Sequence, residues 1–408
     1  MLTFAAYSTA GDMQLAKRLD LINEPQTIKM AKLSRELKAQ GINIVDLSLG
    51  EPDFRTPQHI CDAAVAAMAE GFTKYPPVAG YPELRKAICI KLKRDNGLSY
   101  DPEEVMVSTG AKHSLANAIL ATVNPGDEVI IPTPYWVTYS AQVEFAEGIV
   151  KYIDCGIDTD FKLTPAQLES AITDKTRLFI FSSPCNPTGS VYSQGELAAL
   201  AEVFKRHPNV SIISDEIYEY INYTGPHQSI AQFTELRDRV IIVNGMSKGF
   251  AMTGWRLGYM AGPKELVQAC EKLQAQFTSG ANSITQRASI TALLSDLAET
   301  HKMTDAFRER RNFVIPALRD IPGIKINMPE GAFYAFPNIS SFFGKSDGEY
   351  VIKNDEDFSM YLLHKANVST VYGSAFGNPN CIRISFATSM EQLKEAMERI
   401  CKALKDLK

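Results

Sequence analysis

The sequence predicts an α/β protein: a mostly parallel sheet covered by helices on both faces, joined to a smaller α+β domain. The first observation is an alternation through the middle of the chain. Short β-branched runs (EVMVSTG, DEVIIPTP, RLFIFSSP, VSIISDE, RVIIVNG and RLGYMAG) are separated by helical stretches, the first starting at about Ser114. Repeated βαβ units of this kind build parallel sheets. The second is a change of order. Helical pattern dominates from about Ser283 through ERRNFVIPALRDI, and then IKINMP, AFYAFPN and CIRISFAT read as strands, with a charged helix near 355–366 among them. The third lies near the start. QTIKMAKLSRELKAQG reads as a helix closed by Gly41, and INIVDLSLG follows it as a strand that joins the second domain. The expected division is an N-terminal extension at 1–15, a large domain at 55–298, and a small domain from 16–54 with 299–408.

Bulk properties set outer limits. A chain of 408 residues, 45% hydrophobic and 22% charged, is expected to be globular with two or three domains. A formal charge of −5 argues against nucleic acid or an anionic membrane as the general partner, while leaving room for a local basic pocket. The seven cysteines (Cys61, Cys89, Cys155, Cys185, Cys270, Cys381, Cys401) contain no CxxC pair and no His spacing suited to zinc. They read as reduced thiols of a cytoplasmic protein without a metal site. MLTFAAYSTAGDM has no basic residue ahead of its apolar stretch, so it reads as a disordered extension rather than a signal peptide. No later run reaches membrane-spanning length.

In open α/β sheets ligands bind at the C-terminal ends of strands, and several segments place chemistry there. SIISDEIY ends a buried run on Asp215, with Tyr218 close behind. A carboxylate in that place can hold a protonated pyridine nitrogen, though an Asp after a strand also serves as a helix N-cap. RVIIVNGMSKGFAMTGWRLGY carries Lys248 between Ser247 and Arg256. A lysine in a cation-rich cleft can have its pKa lowered and attack an aldehyde, while the hydroxyl and the guanidinium suit a phosphate. The alternative is a surface lysine in a loop. VSTGAKHSL sets Gly110, Ala111 and Lys112 at the mouth of a helix, whose free N–H groups bind anions; the lesser alternative for Lys112 is a solvated helix-start lysine.

Three more residues belong with these. In FSSPCNPTG, Pro184 and Pro187 exclude a regular helix and put Asn186 on a turn, where its amide can donate to a phenolic oxygen or serve the turn alone. Trp136, after the strand IPTP, can stack on an aromatic ring or belong to the core. Arg383 lies inside the apolar strand CIRISFAT. A buried arginine needs an anion, which is either a substrate carboxylate or a structural salt-bridge partner.

Together these segments resemble the class I aminotransferases of fold type I, and most of all the aspartate aminotransferases of many bacteria and plant plastids. The resemblance runs from about Ala16 to the C-terminus. It rests on SLGEPDF, TKYPPVAGYPELR, STGAKHSL, PYWVTY, SPCNPTGSVY, SDEIYE, SKGFAMTGWRLGY, GAFY and CIRISFATS, in the family's order. It implies a large domain with a mostly parallel seven-stranded sheet and pyridoxal 5'-phosphate as cofactor. Lys248 matches the Schiff-base lysine, Asp215 the partner of the pyridine nitrogen, and Tyr218 and Asn186 the donors to the phenolic oxygen. Trp136 matches the residue stacked on the ring. Gly110, Ala111, Ser247 and Arg256 match the phosphate cup, with Tyr75 reaching in from a second subunit, so the resemblance implies a homodimer. Gly50 and Arg383 match the positions that hold the substrate α-carboxylate, and Trp136 and Asn186 also face the substrate.

The activity so implied is amino transfer between amino acids and 2-oxo acids in ping-pong order, with Lys248 also the general base at Cα. Aspartate and 2-oxoglutarate are the leading pair. In one subgroup the distal carboxylate is held by a partner arginine, but QFTSGANSITQ has none before Arg287. In the subgroup this chain resembles more, residues matching Lys112 and the segment near Thr27 take that part. Dual use of aspartate and prephenate is the alternative. Another fold type I reaction, such as that of a β-lyase or an aminocyclopropane-carboxylate synthase, would use the same cofactor set. A cofactor-binding transcription regulator would need a DNA-binding module ahead of the resemblance, where only some fifteen residues stand.

Overall fold

The structure, a computed structural model, describes Met13, residues 15–22 and residues 25–408. The extension expected at 1–15 therefore lies almost wholly outside the described residues. The strands are β1 (Val45–Asp46), β2 (Val105–Ser108), β3 (Glu128–Thr133), β4 (Ile149–Asp154), β5 (Thr176–Ser182), β6 (Ser211–Asp215), β7 (Val240–Gly245), β8 (Gly258–Ala261), β9 (Tyr334–Ala335), β10 (Val368–Ser369), β11 (Val371–Tyr372) and β12 (Ile382–Ser385). The α-helices are α1 (Gln26–Ala39), α2 (Gln58–Ala69), α3 (Pro82–Asn96), α4 (Ala111–Thr122), α5 (Thr138–Phe145), α6 (Pro165–Ala171), α7 (Gln194–Arg206), α8 (Lys264–Phe277), α9 (Ser283–Leu294), α10 (Ala298–Arg319), α11 (Asp355–Tyr361) and α12 (Met390–Lys405).

Seven strands form the main sheet in the order β2-β8-β7-β6-β5-β3-β4. β8 runs antiparallel to both neighbours, and the other pairings are parallel. All strands except β8 therefore end on one edge. Their apolar runs are continuous because both faces are covered. Along β2 and β5, Val105, Val107, Phe179 and Phe181 pack into one core with α3, α7 and α9, while Met106, Leu178 and Ile180 pack into another with α4, α5 and α8. The expected α/β class is what forms. β4, absent from the runs read above, is an edge strand whose IVKYID segment is largely exposed and carries no buried apolar stripe.

A second layer holds the antiparallel sheet β11-β12-β9 and the parallel pair β1-β10, packed against α10, α11 and α12 around Phe307, Phe333, Phe358 and Leu393. Several sequence expectations need correcting here. IKINMP forms no strand, only a bridge from Lys325 to Asn338. The strands expected in AFYAFPN and INIVDLSLG shrink to β9 and β1. The helix expected across 355–366 is α11 followed by a wider turn at Leu362–Ala366. The helix after β2 begins at Ala111 rather than Ser114, because Gly110, at φ +82°, turns the chain out of the strand. Gly41, at φ +87°, ends α1 as expected. No described helix is long and apolar enough to cross a membrane.

Candidate active site

The strand ends converge on a cavity of about 300 Å³ lined by Gly50, Ala111, Lys112, Trp136, Asn186, Asp215, Tyr218, Ser247, Lys248, Arg256 and Arg383. Trp136 follows β3, Asn186 follows β5, Asp215 ends β6, and Ser247 and Lys248 follow β7. Arg383 enters from β12 in the other layer. Gly110 adjoins the cavity through Arg256, as described below. Tyr75 does not: its side chain is 96% exposed.

Asp215 is buried, and two hydrogen bonds settle its local role. Its Oδ2 accepts from the Tyr139 hydroxyl at 2.7 Å and its Oδ1 from the Ile217 N–H at 3.2 Å. The latter closes a turn, so Asp215 caps no helix. Burial pushes its pKa up to about 6, while the two hydrogen bonds favour the ionised form.

Lys248 is no surface lysine. Its Nζ donates to the Gly50 carbonyl at 2.6 Å, and burial pulls its pKa down to about 8. Arg383 and Arg256 push the same way, and Glu51 pulls back. The Tyr218 hydroxyl lies 2.8 Å from that of Tyr334. Burial drives the Tyr218 phenol well above its ordinary pKa, and its Tyr334 neighbour adds to the shift.

The phosphate-type corner is built on close approach. A Cβ at Gly110 would stand 2.5 Å from Nη2 of Arg256. Arg256 is itself left-handed at φ +55° and donates through Nη1 to the Thr253 carbonyl at 2.9 Å. The first N–H groups of α4 have no intrahelical acceptors, so a cation, the buried Ser247 hydroxyl and a helix N-terminus meet at one place.

Arg383 is 2% exposed. Nη1 donates to Asn186 Oδ1 at 3.1 Å and Nη2 to the Ser48 carbonyl at 2.6 Å, while Nε has no partner. No acidic side chain among the described residues pairs with it, so the structural salt bridge is not what forms. Burial pulls its guanidinium below the usual value. With the Asn186 amide oxygen occupied, that residue's N–H groups remain for a ligand. Lys112 Nζ lies 5.0 Å from the Trp136 ring centroid, and burial, then Arg256, lowers its pKa. Pro25, Thr27 and Ile28, at the start of α1, form the adjoining wall.

Tyr139, Tyr334, Ser182 and Thr253 also line the cavity and escaped the sequence reading. For Tyr139 the signal was its place three residues after Trp136, since its N–H bonds the Trp136 carbonyl at 3.0 Å and both side chains face the same cavity. Tyr334 stood in the GAFY segment with nothing to mark its role.

A half-buried lysine of lowered pKa near a buried carboxylate, beside a cationic anion cup at parallel-strand ends, is the site of an enzyme that works on amines through an aldehyde cofactor. The chain belongs to the class I and II aminotransferases, whose family model matches residues 42–400, and its cofactor is pyridoxal 5'-phosphate. It is 47% identical over 404 residues to a bifunctional aspartate aminotransferase and glutamate/aspartate-prephenate aminotransferase of Petunia hybrida, covering 97% of this chain and 84% of that one. It is 46% identical to an aspartate/prephenate aminotransferase of Nitrosomonas europaea, over 96% of this chain and all of that one. Among solved structures, the aspartate aminotransferase of Rhizobium meliloti superposes with a TM-score of 0.94 at 44% identity, covering 97% of this chain and 100% of that one. The Thermus thermophilus aspartate aminotransferase with maleate gives 0.91 at 38%, covering 96% and 100%.

Proposed function

We propose that this enzyme transfers the amino group between L-aspartate and 2-oxoglutarate, giving oxaloacetate and L-glutamate in two half-reactions. The observation that carries the reading is a pair of cations in one cavity. Arg383, buried without a carboxylate, suits an α-carboxylate, and Lys112, from the other layer, suits a distal one.

The residues present fit the cofactor. Asp215 would hold the pyridine nitrogen, Tyr218 and Asn186 the phenolic oxygen, and Trp136 the ring face. Gly110, Ala111, Ser247 and Arg256 would hold the phosphate, in a cradle that a Cβ at Gly110 would fill. When bound, the cofactor supplies a carbonyl that takes up the substrate amine and a ring that accepts the electrons left at Cα. Lys248, released from the Gly50 carbonyl, removes the Cα proton through Nζ. A pKa near 8 leaves part of this amine neutral in mildly alkaline solution. Arg383 and Gly50 orient the substrate so that its Cα hydrogen faces Lys248.

A second reading, use of prephenate, has its own support. A cavity of about 510 Å³ shares Lys112, Pro25, Val137 and Thr138 with the first, leaving room for a bulkier distal group. Lys112 is a point charge, less demanding in geometry than an arginine fork. The Petunia and Nitrosomonas relatives carry prephenate in their names.

Assembly as a homodimer is supported by Tyr75, which the family resemblance assigns to a second subunit's phosphate cup and which, within one chain, is exposed and does not line the cavity. Separate cores around the main sheet and the C-terminal layer support a large domain at 55–298 and a small one from 16–54 and 299–408. Seven free thiols support a reducing compartment such as the cytoplasm.

The test is a half-reaction screen that follows the cofactor's absorbance as single amino acids are added to the holoenzyme. Aspartate and glutamate should convert it faster than alanine or aromatic amino acids; if neither does, the substrate assignment is wrong. Lys248→Ala should lose both the bound-cofactor absorbance and turnover, and normal turnover would overturn the central assignment.

A further inference from the structure

Helix α3 buries Leu84, Ala87, Ile88 and Leu92 against the sheet, and at the same helical spacing stands Lys91, 0% exposed. Its ammonium pairs with Glu219, also buried, and donates to Asn96 Oδ1 at 2.8 Å. Glu219 is fully occupied. Oε1 takes Lys91 and the Asn244 amide at 2.9 Å, and Oε2 takes the Asn96 amide at 3.0 Å. None of these groups touches the cavity of the active site.

The cluster ties two segments together from behind. Glu219 directly follows Tyr218. Asn244 lies at the end of β7, where its Oδ1 accepts from the Gly245 N–H at 2.7 Å, shortly before Ser247 and Lys248. The next residue along repeats the arrangement. The Tyr220 ring lies so close to Gly249 that a Cβ there would sit 2.6 Å from it, and the Tyr220 hydroxyl bonds Asp95 at 2.6 Å. From α10, Thr300 donates to the Gly249 carbonyl at 2.9 Å and Thr304 to that of Tyr220 at 2.8 Å.

A buried ion pair adds little stability over an apolar pair of the same shape, because desolvation offsets the attraction. What it does supply is geometry, since each partner must stay where the other is. We infer that Lys91, Glu219 and Asn244 are positioning residues that hold the Tyr218 turn and the Lys248 loop in fixed relation. The inference rests on the assignment of Lys248 and Tyr218 made above. Its effect is on the proton transfer at Cα, where a displacement of a fraction of an ångström is costly, and not on capture of the amino acid.

The test uses holoenzyme carrying Lys91→Met with Glu219→Gln, which removes both charges, and separately Asn244→Ala, which leaves the ion pair and cuts the tie to β7 together with the Gly245 N–H bond. In the double variant, folded and cofactor-loaded, kcat should fall about tenfold with KM for aspartate within about twofold of the original. The pH midpoint of the bound cofactor's absorbance should shift with it. Wild-type kcat and midpoint in a folded double variant would overturn the inference. If that protein does not fold, Asn244→Ala decides alone, with the same expected loss of kcat and the same overturning result. Lys248→Ala serves as the reference: turnover surviving in that variant would sink the assignment of Lys248 itself, an outcome distinct from a silent Asn244→Ala.

Discussion

Tyr139 donates a 2.7 Å hydrogen bond to Oδ2 of Asp215, a carboxylate that burial has already pushed up to about 6. The bond favours the ionised form, the one that can hold a protonated ring nitrogen. Tyr139→Phe removes it, so the Asp215 pKa rises further and the ionised fraction falls at every pH near neutrality. Cofactor affinity of the apoenzyme should therefore fall about fivefold to tenfold, with its acid-side midpoint moved to higher pH. Titrating the apoenzyme with pyridoxal 5'-phosphate across that range measures both. An unmoved midpoint would remove Tyr139 from this role.

Gly110→Ala tests the anion cup. The residue sits at φ +82°, and its new methyl would lie 2.5 Å from Nη2 of Arg256, so the guanidinium must move. Strain of about 1 kcal/mol or more is expected from the backbone alone. Pyridoxal 5'-phosphate should bind about tenfold more weakly or worse, while pyridoxal, which lacks the phosphate, changes far less. Equal losses for the two would place the damage elsewhere in the site.

Lys248 gives a pH prediction with a definite sign. Its pKa is lowered to about 8, so the ammonium predominates below that value and the neutral amine above it. Only the neutral amine attacks an aldehyde, hence the rate of cofactor capture by the apoenzyme should rise with pH through about 8. Glu51 opposes the lowering, so Glu51→Gln should move the midpoint to lower pH. Stopped-flow mixing at several pH values follows both, and a midpoint displaced upward would contradict the electrostatics.

The parallel core of the sheet was legible because strands buried on both faces must be continuously apolar, and because Gly110, Pro184, Pro187 and the SKG turn punctuate their ends. Edge strand β4 was not, since an exposed IVKYID segment carries no burial signal. The short strands β10 and β11 were hidden for another reason. At two residues each, their pairing is set by tertiary packing against α1, α11 and α12 and by no period of their own. At the site, Asp215, Lys248 and Arg383 stood out as polar residues within or just after apolar strands. Tyr139, Tyr334 and the Lys91–Glu219 pair did not, because aromatic and charged residues on a helix or loop are commonplace until their partners, distant in sequence, are known.

Substrate choice turns on Lys112. It lies at the start of α4 with Nζ 5.0 Å from the Trp136 centroid, exposed to solvent at the edge of the cavity, and partial desolvation and Arg256 lower its pKa. A substrate carrying a distal carboxylate can pair with this cation, and alanine cannot. Lys112→Met should therefore slow the half-reaction with aspartate about thirtyfold, about 2 kcal/mol, and leave alanine within about threefold. Cofactor affinity should hold within about threefold, because Arg256, Ser247 and the start of α4 remain to hold the phosphate. Single-turnover rates for the two amino acids give the comparison directly. A parallel fall for both would mean that Lys112 serves the anion cup, and the distal carboxylate would then need another partner.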